Sequence, residues 1–235
     1  MMTTKNPQQA VADAEVDPQL ARGNDERFTG YGVMGVPFYS GHYLVLRDML
    51  ATSLGTPYRA IWHRDPAGLW TIYTTVDPNV SCPRYFGSAA AMERVDTIDV
   101  SWRDEWTVDV TMGIRLSWRL KLEATPATRA MTSMASAMPE RAWTSGTVLG
   151  AMGPMAKGVL RSGRVRLRGL TPNGQHFKAA PLRVWRVIGG GATLEGTDLG
   201  ALGPLMEQTR LGEFWLPQRG LFFVGKARFS ATVGK

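Results

Sequence analysis

Cysteine is nearly absent: the 235 residues hold one, Cys82. A lone thiol excludes an intrachain disulfide framework and any zinc site built from several cysteines. Long apolar runs are missing too. No apolar stretch reaches the ~18 residues that a membrane-spanning helix needs, and the uncharged run Ala142–Ala156 is interrupted by Ser, Thr, Pro and Gly. The first residues have no apolar segment of the secretory type. Histidine is limited to His42, His63 and His176. These absences predict a cytoplasmic protein, peripheral to a membrane at most, with no metal and no cofactor.

What is plentiful is apolar and basic. Hydrophobic residues make up 44% of the chain, which excludes wholesale disorder. The length suits a single β-sandwich or barrel domain. The formal net charge is +7, unevenly placed. Residues 1–27 carry five acids and three bases and predict a disordered leader, with at most a weak helix near Gln8–Val16. Residues 28–235 predict one domain. Between Arg141 and Ile188 there are nine bases and no acid, among them Arg164, Arg166 and Arg168. A stretch of one sign favours an anionic partner: a membrane surface, an acidic ligand or nucleic acid. The plainer alternative is a solvated face with acids from elsewhere folded opposite. Nucleic acid is the weakest of these, because no helix-turn-helix, zinc-finger or RNP signature is present.

From Phe28 onward the pattern is β. Tyr58–Arg64 and Leu69–Thr75 flank Asp65-Pro66-Ala67-Gly68, a hairpin signal. Val95–Trp102 and Trp106–Thr111 flank Arg103-Asp104-Glu105 in the same way. In Ile114–Glu123, Ile114, Leu116, Trp118, Leu120 and Leu122 alternate with polar residues, so the strand has one wet and one buried face. The period then changes. Thr125-Pro126 is a helix start, and Ala127, Met131, Met134 and Met138 share one helical face. Residues 140–161 continue as shorter helical pieces broken by glycine. Alternation returns after Gly163, turns at Thr171-Pro172-Asn173-Gly174, and predicts a further hairpin at Gly189-Gly190-Gly191. Gly220–Ser230 closes the chain as a last strand. The sum is mainly β: about ten strands in an antiparallel barrel or strongly curved sandwich, with a helical insertion near residues 126–161.

This order of elements resembles a calycin-type barrel, more specifically the lipocalin-like half-barrels of the carotenoid hydratase (hydroxyneurosporene synthase) group. The hairpins Tyr58–Thr75 and Val95–Thr111 carry the resemblance, with the strand Ile114–Glu123, the return through Gly163–Val187 and the closing strand. It spans residues 28–230 and includes no motif that matches residue by residue, so it implies a fold and no functional residues. In style the sequence is similar to proteins of high-GC actinobacteria.

Local motifs give little chemistry. Gly30-Tyr31-Gly32-Val33-Met34-Gly35 fits G-x-G-x-x-G, but no strand precedes it and no helix follows, so it reads as a glycine-kinked first strand. Cys82 has no neighbouring base and reads as a small buried hydrophobe. His42, His63 and Glu213 are the candidates for proton transfer should they face a cavity.

The expected function is binding of a hydrophobic small molecule, a lipid or isoprenoid that can carry an acidic head group, in a barrel pocket. Trp62, Trp118 and Trp185 are candidate walls. Met131, Met134 and Met138 would form an adaptable lid, and Arg164, Arg166 and Arg168 an anion site. Two alternatives stay open: an acid–base enzyme of hydratase, cyclase or isomerase type on a similar substrate, and a basic module that contacts an anionic membrane or nucleic acid.

Overall fold

The computed structural model describes residues 5–230, except the side chains of residues 153–159. The side chains of Met155 in the helical insertion and of Lys157, one of the nine bases of the basic block, lie outside the described residues. In chain order the elements are α1 (Pro7–Val16), β1 (Glu26–Pro37), β2 (Tyr43–Thr52), β3 (Tyr58–Arg64), β4 (Trp70–Thr74), α2 (Pro83–Phe86), β5 (Ala91–Arg94), β6 (Asp99–Asp104), β7 (Thr107–Met112) and β8 (Leu116–Glu123). There follow α3 (Pro126–Ala137), α4 (Gly146–Leu160), β9 (Arg168–Leu170), β10 (His176–Leu194), β11 (Thr197–Asp198), β12 (Arg210–Leu211), β13 (Phe214–Trp215) and β14 (Leu221–Phe229).

Ten strands run in the order β5-β4-β3-β2-β1-β14-β10-β8-β7-β6, antiparallel except for the parallel β4–β5 pair. The two ends of that order, β5 and β6, are joined by residues 95–98 alone. Five Cα steps reach at most about 18 Å, so the edges must curl toward each other. Arg115, just before β8, makes the return contact: it pairs with Glu93 of β5 and lies 5.0 Å over the Tyr73 ring of β4. The edges do not pair, so of the two architectures expected, barrel or strongly curved sandwich, the closed barrel is not formed. The fold is mainly β, a strongly curved open sheet with a few helices.

Alternation sorts the core into two sides. Leu44, Leu46, Ile61, Val108, Val110, Trp118, Leu120, Trp185 and Phe222 fill the concave side. Every second residue of β8, from Leu116 to Leu122, is buried there. At roughly 1.5–3 kcal/mol for each fully buried apolar side chain, β8 is what ties the β6–β7 arm to the rest. Outside the curve, two more clusters form: Phe28, Tyr43, Val45, Met49, Trp62, Tyr85 and Phe86 beneath α2, and Met34, Trp143, Leu149, Met152, Val184 and Leu221 beneath α3 and α4.

The helix expected near Gln8–Val16 of the leader is α1, capped by Asn6 and placing Ala10 and Val11 in the concave core. Two expectations change. Ile114 does not join its alternating neighbours: the strand starts at Leu116, and Ile114 sits fully exposed next to the left-handed turn residue Gly113. Gly189-Gly190-Gly191 does not reverse the chain, because β10 runs through it and shifts register between Val187 and Gly189. A side chain on Gly190 would meet the Arg119 carbonyl oxygen at 2.0 Å, so the glycines let one long strand bend closely over β8. The helix start holds as read, with Thr125 Oγ1 accepting from Thr128 N.

An apolar cavity with an arginine in its wall

The sheet's outer face bears a cavity of about 80 Å³. Its floor is the cross-strand pair Gly30–Gly225, where the absence of side chains leaves space. Phe28, Met49, Trp62 and Phe223 project from the strands beside it, and α2 covers it with Cys82, Tyr85 and Phe86. The cover is tied down at several points. Glu26 accepts hydrogen bonds from Arg84 (2.7 Å), Tyr85 (2.6 Å) and Gln175 (3.1 Å), joining α2 to β1 and the start of β10. Burial alone would raise the Glu26 carboxyl, but these bonds and the Arg84 charge outweigh it and hold the group below the usual range. Tyr43 Oη donates to the Pro217 carbonyl at 2.6 Å and fastens the segment before β14.

Three lining residues do not fit an apolar wall: Lys178 and Lys226, which are half-buried, and Arg47, which is buried. Along β2, Tyr43, Val45, Arg47 and Met49 alternate onto the cavity side. Arg47 is only 6% exposed, yet no carboxylate among the described residues reaches it. The adjacent acid cannot help, because successive strand residues point to opposite faces. Asp48 lies on the concave side, paired with Arg59 at 2.7 Å. Arg47 is held instead by carbonyls and rings. Nη1 donates to the oxygens of Val33 (2.8 Å) and Leu46 (3.1 Å), and the guanidinium lies 5.1 Å from the Trp62 ring and 5.2 Å from Phe223. Nε and Nη2 make no hydrogen bond to the described residues.

Burial pushes the guanidinium down to about 10, opposed by Cys82, Tyr43 and Tyr58, so it stays cationic at neutral pH. Beside it, Tyr58 Oη and Cys82 Sγ share a hydrogen bond of 3.2 Å. Burial raises both groups above their ordinary values, which keeps them protonated at pH 7. Trp62 Nε1 is near enough to the thiol to favour its ionised form, yet it has no hydrogen-bond acceptor and is buried. The cavity therefore presents unused donors, one of them on a permanent cation, inside an apolar enclosure. Such groups are costly to leave unpaired.

Of the residues singled out in the sequence, Trp62 lines this cavity. Trp118 and Trp185 pack in the concave core on the other side of the sheet. Met131, Met134 and Met138 are half-buried against the cluster beneath α3 and α4, which shares Met34, Leu167, Ala180 and Phe223 with the cavity wall, but none of the three methionines lines the cavity. Glu213 lies outside, bonded to Arg166 (2.8 Å) and to Leu170 N (2.9 Å). Arg47 was missed, although the sequence carries its signal: Tyr43–Leu50 is apolar at every position except Arg47 and Asp48. A cation at an inward position of a strand buried on both faces needs a reason.

His42 and His63 meet each other away from the cavity, with Nδ1 and Nε2 2.9 Å apart and the rings stacked. Only one proton fits between them. Burial, and then the neighbouring His42, push His63 down to about 4 against the opposing pull of Asp65. The unfolded imidazole titrates near ~6.5. Between those values the unfolded chain takes up a proton that the folded chain refuses, so stability declines as pH falls from about 6.5 to about 4. His63→Gln is expected to remove roughly 1–2 kcal/mol of that decline, read from urea unfolding at pH 7 and pH 4. Parallel pH profiles for parent and variant would contradict it.

Among the described residues, no three His, Cys, Asp or Glu side chains group as metal ligands, and no helix is long and apolar enough to cross a membrane. Fold and site together define a curved-sheet protein with a small apolar cavity and one unneutralised buried arginine. No family model and no curated protein matches the sequence. Among solved structures, the crystal structure of acetoacetate decarboxylase from Legionella pneumophila subsp. pneumophila is similar over 97% of this chain and 96% of that one, at 9% identity and a TM-score of 0.38. That likeness is too distant to carry fold, activity or residue roles across.

Proposed function

We propose that the protein binds a small apolar organic acid, with the carboxylate on Arg47 and the hydrocarbon part against Phe28, Met49, Phe86 and Phe223. The observation that carries this reading is the buried guanidinium without an acid. A protein gains no stability from such a charge, whereas a ligand carboxylate would accept from its free Nε and Nη2 as a fork. Trp62 Nε1 supplies one more donor in the same wall. A cavity of about 80 Å³ suits a compact acid; drug-sized ligands occupy roughly 300–1,000 Å³. The lipid or isoprenoid expected from the sequence would fit only with the cover displaced.

Binding is preferred here to acid–base catalysis. No histidine and no carboxylate lines the cavity among the described residues, and Tyr58 and Cys82 hold their protons at pH 7.

The test is calorimetric titration with short-chain and branched carboxylic acids, each beside its primary amide. The acids are expected to bind at least about tenfold more tightly than the amides, the scale of one charge-assisted hydrogen bond. Equal affinity for acid and amide would remove Arg47 from the reading. Solvent extraction of the denatured protein with mass spectrometry names any ligand that copurifies.

A further inference from the structure

Four bases of the block, Arg164, Arg166, Arg168 and Lys178, come together with Arg228 at a cleft of about 940 Å³ between α4 and the strands β9 and β10, where they face two acids, Asp25 and Glu213. Of these cations only Arg166 meets a carboxylate, at 2.8 Å from Glu213. Hydrogen bonding by Leu170 N and the Arg166 charge hold Glu213 below its ordinary value despite some burial, so the pair is charged on both sides at neutral pH. Lys178 Nζ donates to the Thr144 carbonyl and Arg228 Nη1 to the Arg22 carbonyl, neither of which neutralises a charge. Arg164, Arg168, Lys178 and Arg228 thus converge without a carboxylate partner among the described residues.

Two of them are positioned by the fold. Arg164 stacks 4.8 Å over the Trp215 ring, with Arg210 at 5.4 Å from the same ring. Arg168 lies against α4 where the helix has glycines: a side-chain carbon on Gly146 would come within 2.9 Å of its Nη1, and one on Gly150 within 3.3 Å of its Nε. The glycines that weaken α4 as a helix are the ones that make room for a guanidinium at the cleft.

We infer that this cleft binds a phosphate group, with Arg164, Arg168, Lys178 and Arg228 supplying the donors. Several converging cations, three of them planar guanidinium forks, suit a multiply charged group with three or four acceptor oxygens better than a single carboxylate. The inference does not depend on Arg47. Leu167, Phe177 and Lys178 line both the cleft and the apolar cavity, so the two spaces are neighbours. The phosphate can belong to a soluble compound or to a lipid headgroup.

Two arms separate those sources: calorimetric titration with inorganic pyrophosphate, and co-sedimentation with phosphatidylcholine vesicles containing phosphatidylglycerol. Each is run on the full chain, on the double variant Arg164→Gln/Arg168→Gln, on Arg168→Gln alone and on Arg47→Met. Both cleft arginines are exposed, so the variants are expected to keep the parent's unfolding midpoint. The parent is expected to bind pyrophosphate, and the double variant to bind it at least about tenfold more weakly, with Arg47→Met unchanged. Vesicle binding with the same sensitivity, but no pyrophosphate binding, assigns the phosphate to a lipid headgroup. No binding in either arm, or binding that the double variant leaves intact, overturns the inference.

Discussion

Arg47→Met is expected to abolish binding of small organic acids while leaving the protein as stable as the parent or more so. The expected loss of affinity is about a hundredfold or more, since a desolvated charge pair with two hydrogen bonds is removed. The stability side follows from the arginine's surroundings. Its burial carries a desolvation cost of several kcal/mol. Two carbonyls and three aromatic rings, those of Trp62, Phe214 and Phe223, offset part of it, and no counter-ion does. Methionine retains most of the stem and adapts to the same gap. An arginine kept for the fold would behave in the opposite way. If Arg47→Met unfolds at markedly lower urea and binds acids as before, the residue is structural and the proposal fails. Arg47→Lys should fall between, keeping the charge and losing the fork.

The second large effect concerns the cavity floor. A Cβ at Gly30 would stand 1.9 Å from the Asp48 carbonyl oxygen and 3.0 Å from the Met49 Cα. Both are backbone atoms, and β1 is held between β2 and β14, so neither side can give way. Gly30→Ala is expected to cost about 3 kcal/mol or more, or to prevent folding. Gly191→Ala is the control: it lies in a strand too, but its added carbon meets nothing within 4 Å. That variant should stay within about 0.5 kcal/mol of the parent. Equal urea midpoints for the two variants would show that β1 and β2 are not packed as described.

The G-x-G-x-x-G of residues 30–35 thus has a structural explanation. Gly30 and Gly32 allow β1 to approach β2 closely, and the Gly30–Gly225 pair leaves the floor of the cavity bare. Alternation was enough to read β8, because only a half-buried strand satisfies its pattern, and the β3–β4 and β6–β7 hairpins were legible as aromatic and β-branched runs flanking a turn. The start of α3 was equally legible, since a capping threonine before a proline acts within four residues. The glycine run in β10 was misread because glycine permits both a reversal and a bend. Only the neighbouring strand decides between them.

The site was less legible for a related reason. Cavity residues come from β1, β2, β3, α2, β10, β13 and β14, elements spread from residue 28 to residue 229. No local spacing encodes that convergence. Likewise, which tryptophans line a space and which fill one depends on the side of a curved sheet each faces. That side is relative to the other elements: Trp62 and Trp118 are equally buried, but only one borders the cavity.

By itself the sequence determined the β class, the position of the helical insertion and the one-signed block, because periodicity, capping and charge act over short distances along the chain. Tertiary structure alone decided the rest. It left the curved sheet open, put Arg47 and Asp48 on opposite faces so that the acid could not neutralise the base, and gathered Arg164, Arg166 and Arg168 with Arg228 at one cleft. Each of these depends on what lies across from a residue in space, and a linear pattern of residues does not specify its partners.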